Sequence, residues 1–283
     1  MVISATTAGF KWARDDAPMA DADIIRMMAK GGFQYVDLNL DVEAAPGMRL
    51  SGDRWEEYVD EIGNVLAETG VEIVQAHAYF ISGGKIWTPE QYDYLYRANN
   101  RLIEVCGRLN IPVIVGHPIN GVNSDNLSFD QVVEQSVTYF RHYQDSLAKY
   151  GVRMAIENLI AHYTNDAETI AAVADRLPRE QFGNCWDAGH AWIRGLNQRE
   201  SIAYLGDRLI ATHLHDNWGT EGKDWHMVPF SGTNDWENIV HTLRDIGYKG
   251  ALDMELNMTR HSRSMMLDNI VYCRKIADKL LAL

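Results

Sequence analysis

The chain has 283 residues, 46% of them hydrophobic, and a formal net charge of −13 at pH 7. Such a length and apolar content suit one large α/β core, and such a charge argues against a nucleic-acid partner, because gripping a phosphate backbone needs a basic footprint. No run of 18 apolar residues marks a membrane span, and the opening "MVISATTAGFKW" lacks the charged-then-apolar layout of a secretory signal.

Taken in chain order, residues 2–8 read as a first strand, and a helix follows from about Asp21, closing at Gly31-Gly32. "QYVDLNL" is strand two, and a helix from near Asp53 to Thr69 stops at Gly70. "EIVQAHA" is strand three. Thr88-Pro89-Glu90-Gln91 is a capping box with proline in the first turn, opening a helix to about Leu109. "IPVIVGH" is strand four, and Ser128-Phe129-Asp130-Gln131 is a second capping box whose helix ends at Gly151. Strand five, "VRMAIEN", is followed by a helix from about Asp166, and strand six, "FGNCWDA", by a short helix near 199–205. Strand seven is "LIATHLH"; a helix then spans Trp236 to Ile246 and ends at Gly247. Strand eight is "ALDMELN", before a final helix from about Ser262 to Lys279.

Eight strand–helix units with strands apolar on both faces predict a parallel sheet covered by helices. Eight units close naturally into a single (β/α)8 TIM barrel domain over residues 1–283. The other arrangement, an open doubly wound sheet, would carry a G-x-G-x-x-G turn after an early strand, and none is present. Cys106, Cys185 and Cys273 are odd in number and far apart, which predicts no disulfide framework and a reducing, cytoplasmic setting.

Acidic and imidazole side chains recur at the ends of these strands, where the backbone is rigid and the next loop opens to solvent. Glu157, Asp187, His213 and Glu255 end strands five to eight. In a barrel these strands are neighbours, so the four side chains can converge on one divalent ion (Mn, Mg, Co or Zn). Taken singly, Glu255 and Asp187 could be capped structural carboxylates; the joint pattern favours a metal set, since four such groups would otherwise repel or stay unpaired. His190, three residues after Asp187, is either a ligand of a second metal or a donor to substrate oxygens, and substrate contact is preferred. Asp224 and His226 could face one ion from the loop after strand seven, and His215 lies two residues beyond His213. Lys223 is a candidate donor to a substrate hydroxyl or phosphate. His77 and His117 are further ligands or pocket-lining groups. Trp12, Trp186, Trp218 and Trp225 either stack on a sugar face near the mouth or serve as packing. Neither a P-loop nor G-x-S-x-G is present.

"AIEN", "CWDAGH", "HLHD", "DWHMVPFSGTNDW" and "DMELN" together resemble the xylose-isomerase-like barrel superfamily. That group contains sugar isomerases, ketose 3-epimerases, inosose-type dehydratases and tri-zinc apurinic endonucleases. Resemblance to the 3-epimerases implies one divalent ion on Glu157, Asp187, His213 and Glu255, with Glu157 and Glu255 as an acid/base pair on opposite faces of the sugar. Resemblance to the endonucleases implies a nine-ligand set: His77, His117, Glu157, Asp187, His190, His213, Asp224, His226 and Glu255. The expected function is a divalent-metal-dependent isomerase or epimerase of a small sugar or sugar-like polyol carbonyl compound, acting through a cis-enediolate. The alternatives are a dehydratase of a cyclitol or keto-sugar, a tri-zinc apurinic endonuclease, and a barrel that binds without turnover. The expected partner is a small sugar-like molecule; no membrane partner is expected, and a homo-oligomer is compatible with the sequence.

Overall fold

The computed structural model describes residues 1–13, 17–81, 88–118, 127–160, 164, 166–221, 223–259 and 261–283. Among them the strands are β1 (Val2–Ala5), β2 (Tyr35–Asn39), β3 (Glu72–His77), β4 (Val113–Gly116), β5 (Arg153–Glu157), β6 (Phe182–Asp187), β7 (Leu209–His213) and β8 (Ala251–Met254). The helices are α1 (Ala8–Lys11), α2 (Asp21–Lys30), α3 (Asp41–Ala44), α4 (Trp55–Thr69), α5 (Pro89–Arg108), α6 (Phe129–Arg141), α7 (Gln144–Tyr150), α8 (Ala167–Ala174), α9 (Ala188–Ile193), α10 (Gln198–Leu205), α11 (Trp236–Asp245) and α12 (Met266–Ala282).

All the strand ladders are parallel. β2 to β7 form a six-stranded sheet in chain order, and β1 pairs with β8 as a separate two-stranded sheet. At the two seams the ladder reduces to single bridges, Thr6 with Asp37 and Leu214 with Met254. Backbone bonds hold both seams: Thr7 N–H donates to Asp37 O at 2.9 Å and Leu214 N–H to Asp253 O at 2.7 Å.

Period-two alternation sorts the strand residues. Ile114, Ile156, Trp186 and Met254 belong to the main core, between strands and helices. Val115, Ala155, Cys185 and Ala211 form a second, small buried cluster apart from it. Two residues beyond each of these, on the same face, stand His117, Glu157, Asp187 and His213. The same step leads from Gln75 to His77 and from Asp253 to Glu255. An inner layer therefore sits directly beneath the candidate site.

The helices form for local reasons. Both predicted capping boxes are present, with Thr88 and Ser128 each accepting from the N3 backbone while Gln91 and Gln131 reach back. α5 buries Leu95, Asn99, Leu102 and Cys106, an i, i+4, i+7, i+11 stripe. Gly70 and Gly151 end α4 and α7 at φ 71° and 68°, a conformation that costs glycine little.

Two expectations are corrected. The first strand stops at Ala5 rather than residue 8, because the chain turns into α1. Gly9 then packs so closely that a Cβ would lie 2.3 Å from Leu256 O. The helix expected from Ser128 to Gly151 is broken at His142-Tyr143 into α6 and α7. α1 is anchored by a buried network: Lys11 Nζ donates to Asp21 at 3.0 Å and Glu43 at 2.8 Å, and Tyr58 donates to Asp21 at 2.8 Å.

Asn158 locks the mouths of β5 and β6. Its Nδ2 donates to Asp187 O at 2.9 Å and its Oδ1 accepts from Asp187 N–H at 2.7 Å, both buried. Asn158→Ala removes both side-chain bonds to the Asp187 backbone and should cost about 1–3 kcal/mol. Urea denaturation reads this as a lower midpoint at unchanged slope; an unmoved midpoint would show that the lock is dispensable.

Candidate metal centre

A cavity of about 550 Å³ opens at the strand ends. His77, His117, Glu157, His190, Asp224, His226 and Glu255 line one side of it. Trp12, Phe80, Leu159, Ile160 and Leu256 give it an apolar wall, and Asn39, Asp41 and Thr259 add polar groups.

The four side chains that end β5 to β8 come together. Glu157, Asp187, His213 and Glu255 each offer a donor atom, all within 4.8 Å of one another. His213 Nδ1 is 3.0 Å from Glu157 Oε1 and 3.4 Å from Glu255 Oε2. Two flanking groups adjoin this set. On one side, His117 Nε2 and His77 Nε2 stand 3.1 and 3.5 Å from Glu157 Oε2. On the other, His190, His215, Asp224 and His226 again place donor atoms within 4.8 Å of one another. His226 Nε2 is 3.1 Å and His190 Nε2 3.4 Å from Asp224 Oδ2. Lys223 is exposed and is not among the cavity-lining residues. Of Trp12, Trp186, Trp218 and Trp225, Trp12 is the one among the described lining residues. Trp186 is buried with its Nε1 on Gln198 Oε1 at 2.8 Å, while Trp218 and Trp225 are exposed and outside the lining.

The donor atoms are aimed by partners behind them. His77, His190 and His226 have Nδ1 against the carbonyl oxygens of Ala78, Asn158 and Glu255 at 2.8, 2.9 and 2.9 Å. A carbonyl only accepts, so Nδ1 carries the proton and the Nε2 of each ring faces a cavity carboxylate. This is the arrangement that suits an imidazole to a cation: one nitrogen fixed from behind, the other presented. Asp187 Oδ1 also caps α9, accepting from His190 N–H at 2.6 Å. His226 sits in the left-handed region at φ 46°. A two-bond bridge between Asp216 and Met227, and Asn257 N–H donating to His226 O at 3.0 Å, hold it there.

Charge is concentrated here on buried and half-buried groups. Burial is the largest influence on each group and disfavours its charged form. For Glu157, His213, His117 and His77 outweigh it and hold the carboxyl well below the usual range. His190 and His215 hold Asp187 below its usual range, and His213 and His226 do so for Glu255. Reciprocally, burial would lower the imidazoles, but Glu157 lifts His77 to about 9, and Glu255 with Asp224 lifts His226 to about 9. His190 and His213 are raised well above 6.5. His117 goes the other way, since burial and the neighbouring His77 and His190 outweigh Glu157.

The residues fit a divalent cation. Glu157 Oε2 is buried and has no well-formed hydrogen bond despite two imidazoles beside it. Carboxylate and imidazole donors in this ratio suit Mn, Mg, Co or Zn.

Sequence reasoning did not single out three buried polar residues around this set. Asp37 takes Gln75 Nε2 at 2.8 Å and lies 3.9 Å from His213 Nε2. Asp253 accepts from Ser4 Oγ, and Asn158 makes the lock described above. The available signal was a lone polar residue inside an apolar strand, as in "YVDLN" and "ALDM".

Cation uptake must displace protons. His77 and His226 hold theirs up to about 9, and a bound cation needs the unprotonated ring. Binding at pH 7 should therefore release protons, and affinity should climb as pH rises toward about 9. Calorimetry in two buffers of different ionisation enthalpy measures the release; identical apparent enthalpies would contradict it. Glu157→Gln removes the carboxylate common to the central and His77 groups, and equilibrium dialysis should show loss of cation with secondary structure retained.

An uncharacterized protein, y4fM, of Sinorhizobium fredii is 31% identical over 169 residues, covering 56% of this chain and 51% of that protein. A probable endonuclease 4 of Halorhodospira halophila is 25% identical over 187 residues, 60% of this chain and 62% of that one. The chain thus spans about half to three-fifths of the length of these relatives. Among solved structures, a D-psicose 3-epimerase crystallised in the presence of D-fructose superposes with TM-score 0.77 at 17% identity, covering 99% of both chains. The IolI protein with a bound zinc atom superposes with TM-score 0.76 at 15% identity, covering 100% of this chain and 98% of that one. At these identities the structural likeness speaks to fold, which is that of a TIM barrel. The profile of one sequence family matches residues 25–275, and on that match the chain belongs to the xylose isomerase-like TIM barrel family.

Proposed function

We propose that this protein is a divalent-metal-dependent isomerase or epimerase of a small sugar or sugar-like polyol carbonyl compound. On this reading the chain is one domain, its two sheets act as one closed eight-stranded barrel, and three unpaired buried cysteines fit a reducing cytoplasm. The observation that carries the reading is the pairing of Glu157 and Glu255 in one four-donor set. Neighbouring imidazoles hold both carboxyls below the usual range, and both line a cavity sized for a small molecule.

Glu157, Asp187, His213 and Glu255 would hold the ion, which when bound supplies polarisation of a substrate carbonyl. Glu157 and Glu255 act as the acid/base pair that takes and returns the proton at the adjacent carbon. Loss of that proton converts the hydroxy-carbonyl pair to a cis-enediolate. Return of a proton to the other face of the same carbon gives epimerisation; return to the former carbonyl carbon, with the hydroxyl proton passing to the former carbonyl oxygen, gives isomerisation. His190 Nε2 and His117 present polar ring atoms to substrate hydroxyls. Trp12, 43% exposed at the rim, offers a flat apolar face to a sugar ring. The wall of Phe80, Leu159, Ile160 and Leu256 limits water around the reacting carbon. The printed names of solved neighbours, which include psicose, tagatose and keto-glucoside epimerases, support the substrate class.

A second reading, a three-cation apurinic endonuclease, has one specific observation behind it. The nine donors expected from that resemblance fall into three adjoining groups, two of which share Glu157. The net charge of −13 weighs against a DNA substrate.

The test is isotope wash-in from D₂O across ketoses and cyclitols with the Mn-, Co- or Zn-loaded protein. Deuterium should enter at the carbon next to the carbonyl of one substrate. Glu157→Gln and Glu255→Gln should each lower that exchange by about 10²–10⁴ while the circular dichroism spectrum is retained. Near-normal exchange in both variants refutes the acid/base assignment. Cleavage of an abasic-site duplex by the zinc-loaded protein, with no exchange into any sugar, establishes the nuclease reading instead.

A further inference from the structure

His215 lies two residues past His213; it is one of the four loop-side residues and also touches Asp187 of the central donor set. It is fully buried. Its Nε2 is 3.1 Å from Asp187 Oδ1 and 3.2 Å from Oδ2. A carboxylate oxygen accepts, so Nε2–H is the donor of the contact. The ring face stacks on His226 with centroids 3.9 Å apart and planes 14° from parallel. His215 Nε2 also stands 3.8 Å from Asp224 Oδ1. Its Nδ1 is buried and has no hydrogen-bond partner.

The chain makes specific room for this ring. A Cβ on Gly189 would lie 1.9 Å from His215 Cε1 and 2.2 Å from Nδ1. The glycine of the Asp187-Ala188-Gly189-His190 turn is therefore the space that the His215 imidazole occupies. Backbone on the far side is fixed too. Asn217 Nδ2 donates to Gly189 O at 2.9 Å, and Asn234 Nδ2 to His215 O at 3.3 Å.

We propose that His215 is a positioning residue shared by the two donor sets. Its Nε2–H orients the Asp187 carboxylate toward the central set, and its ring face supports the His226 imidazole of the loop-side set. It holds no cation itself. A hydrogen bond behind a ligating carboxylate fixes which lone pair faces the ion, and a stacked ring fixes the plane of the imidazole above it. The inference rests on reading the cavity as a cation centre.

The experiment is a cobalt(II) titration of chelator-stripped protein, followed by the visible d–d bands. It compares wild type, His215→Leu, His215→Gln and Gly189→Ala, with thermal unfolding of each cation-free protein as the folding control. His215→Leu removes both the donor and the ring, and should weaken every class of cobalt site by about 10–100-fold. Gly189→Ala displaces the ring and should reproduce that loss. His215→Gln keeps a side-chain N–H for Asp187, so it should recover affinity at the central set but not at the loop-side set. Its cobalt-saturated spectrum at the central set should match wild type. If His215→Leu fails to fold, Gly189→Ala and His215→Gln carry the comparison. Wild-type affinity in those variants overturns the proposal, as does a saturated spectrum showing that His215→Gln has lost a ligand. A wild-type protein that takes up no cobalt overturns the cation centre and this inference together, whereas unaffected variants of a cobalt-binding wild type overturn this inference alone.

Discussion

The structure turns on keeping carboxylates ionised where water is scarce. Glu157, Asp187, Asp37 and Asp253 are essentially fully buried, and Glu255 adjoins them. An unpaired charge in such a place is expensive, and a cluster of like charges more so. Two remedies are visible. Around Glu157, Asp187, Glu255 and Asp224, imidazoles supply the opposing charge, and a divalent cation could take over that task. Beneath them, burial together with neighbouring carboxylates raises Asp37 to about 6 and lifts Asp253 well above its ordinary value, which moves both toward the neutral acid. Gln75 and Ser4 supply hydrogen bonds there instead.

That electrostatic arrangement depends on a geometric one. In a parallel sheet with helices outside, each strand has one face toward the helices and one toward the interior. Small apolar residues of β4 to β7 fill the interior level below, and the donors occupy the level above it, one step of two residues further on. The donors need no long side-chain reach because adjacent strands already bring their ends together. Rigid backbone then does for the cavity what flexible loops could not: it holds several like-charged groups close while their partners are fixed from behind.

The loop after β7 completes the cavity by a different logic. Asp216 is its anchor. Its carboxylate accepts from Asn217 N–H, Asn234 N–H and Trp236 Nε1 at 3.0, 3.1 and 2.9 Å, which ties the loop to the start of α11. Gly232 fits close to the same backbone, where a Cβ would lie 2.3 Å from Asn217 O. This bracing lets His226 stay in a left-handed conformation and lets Asp224 face two imidazoles although its side chain is 32% exposed.

Much of this was legible in the residues alone. Repeated apolar runs, capping boxes and stop glycines dictate the order of strands and helices, because those signals are local and act over one or two turns. The recurrence of Glu157, Asp187, His213 and Glu255 at strand ends marks the donor set, because strand neighbours in sequence order are neighbours in space. Tertiary structure alone decided which nitrogen of each histidine faces the cavity, since that depends on backbone carbonyls such as Asn158 O, 32 residues from His190. It also decided that His215 belongs behind Asp187, a contact spanning 28 residues that no spacing announces. The same holds for the depth of Asp37 and Asp253: a carboxylate in an apolar strand looks alike in sequence whether it faces solvent or the barrel interior, and only packing on every side tells which.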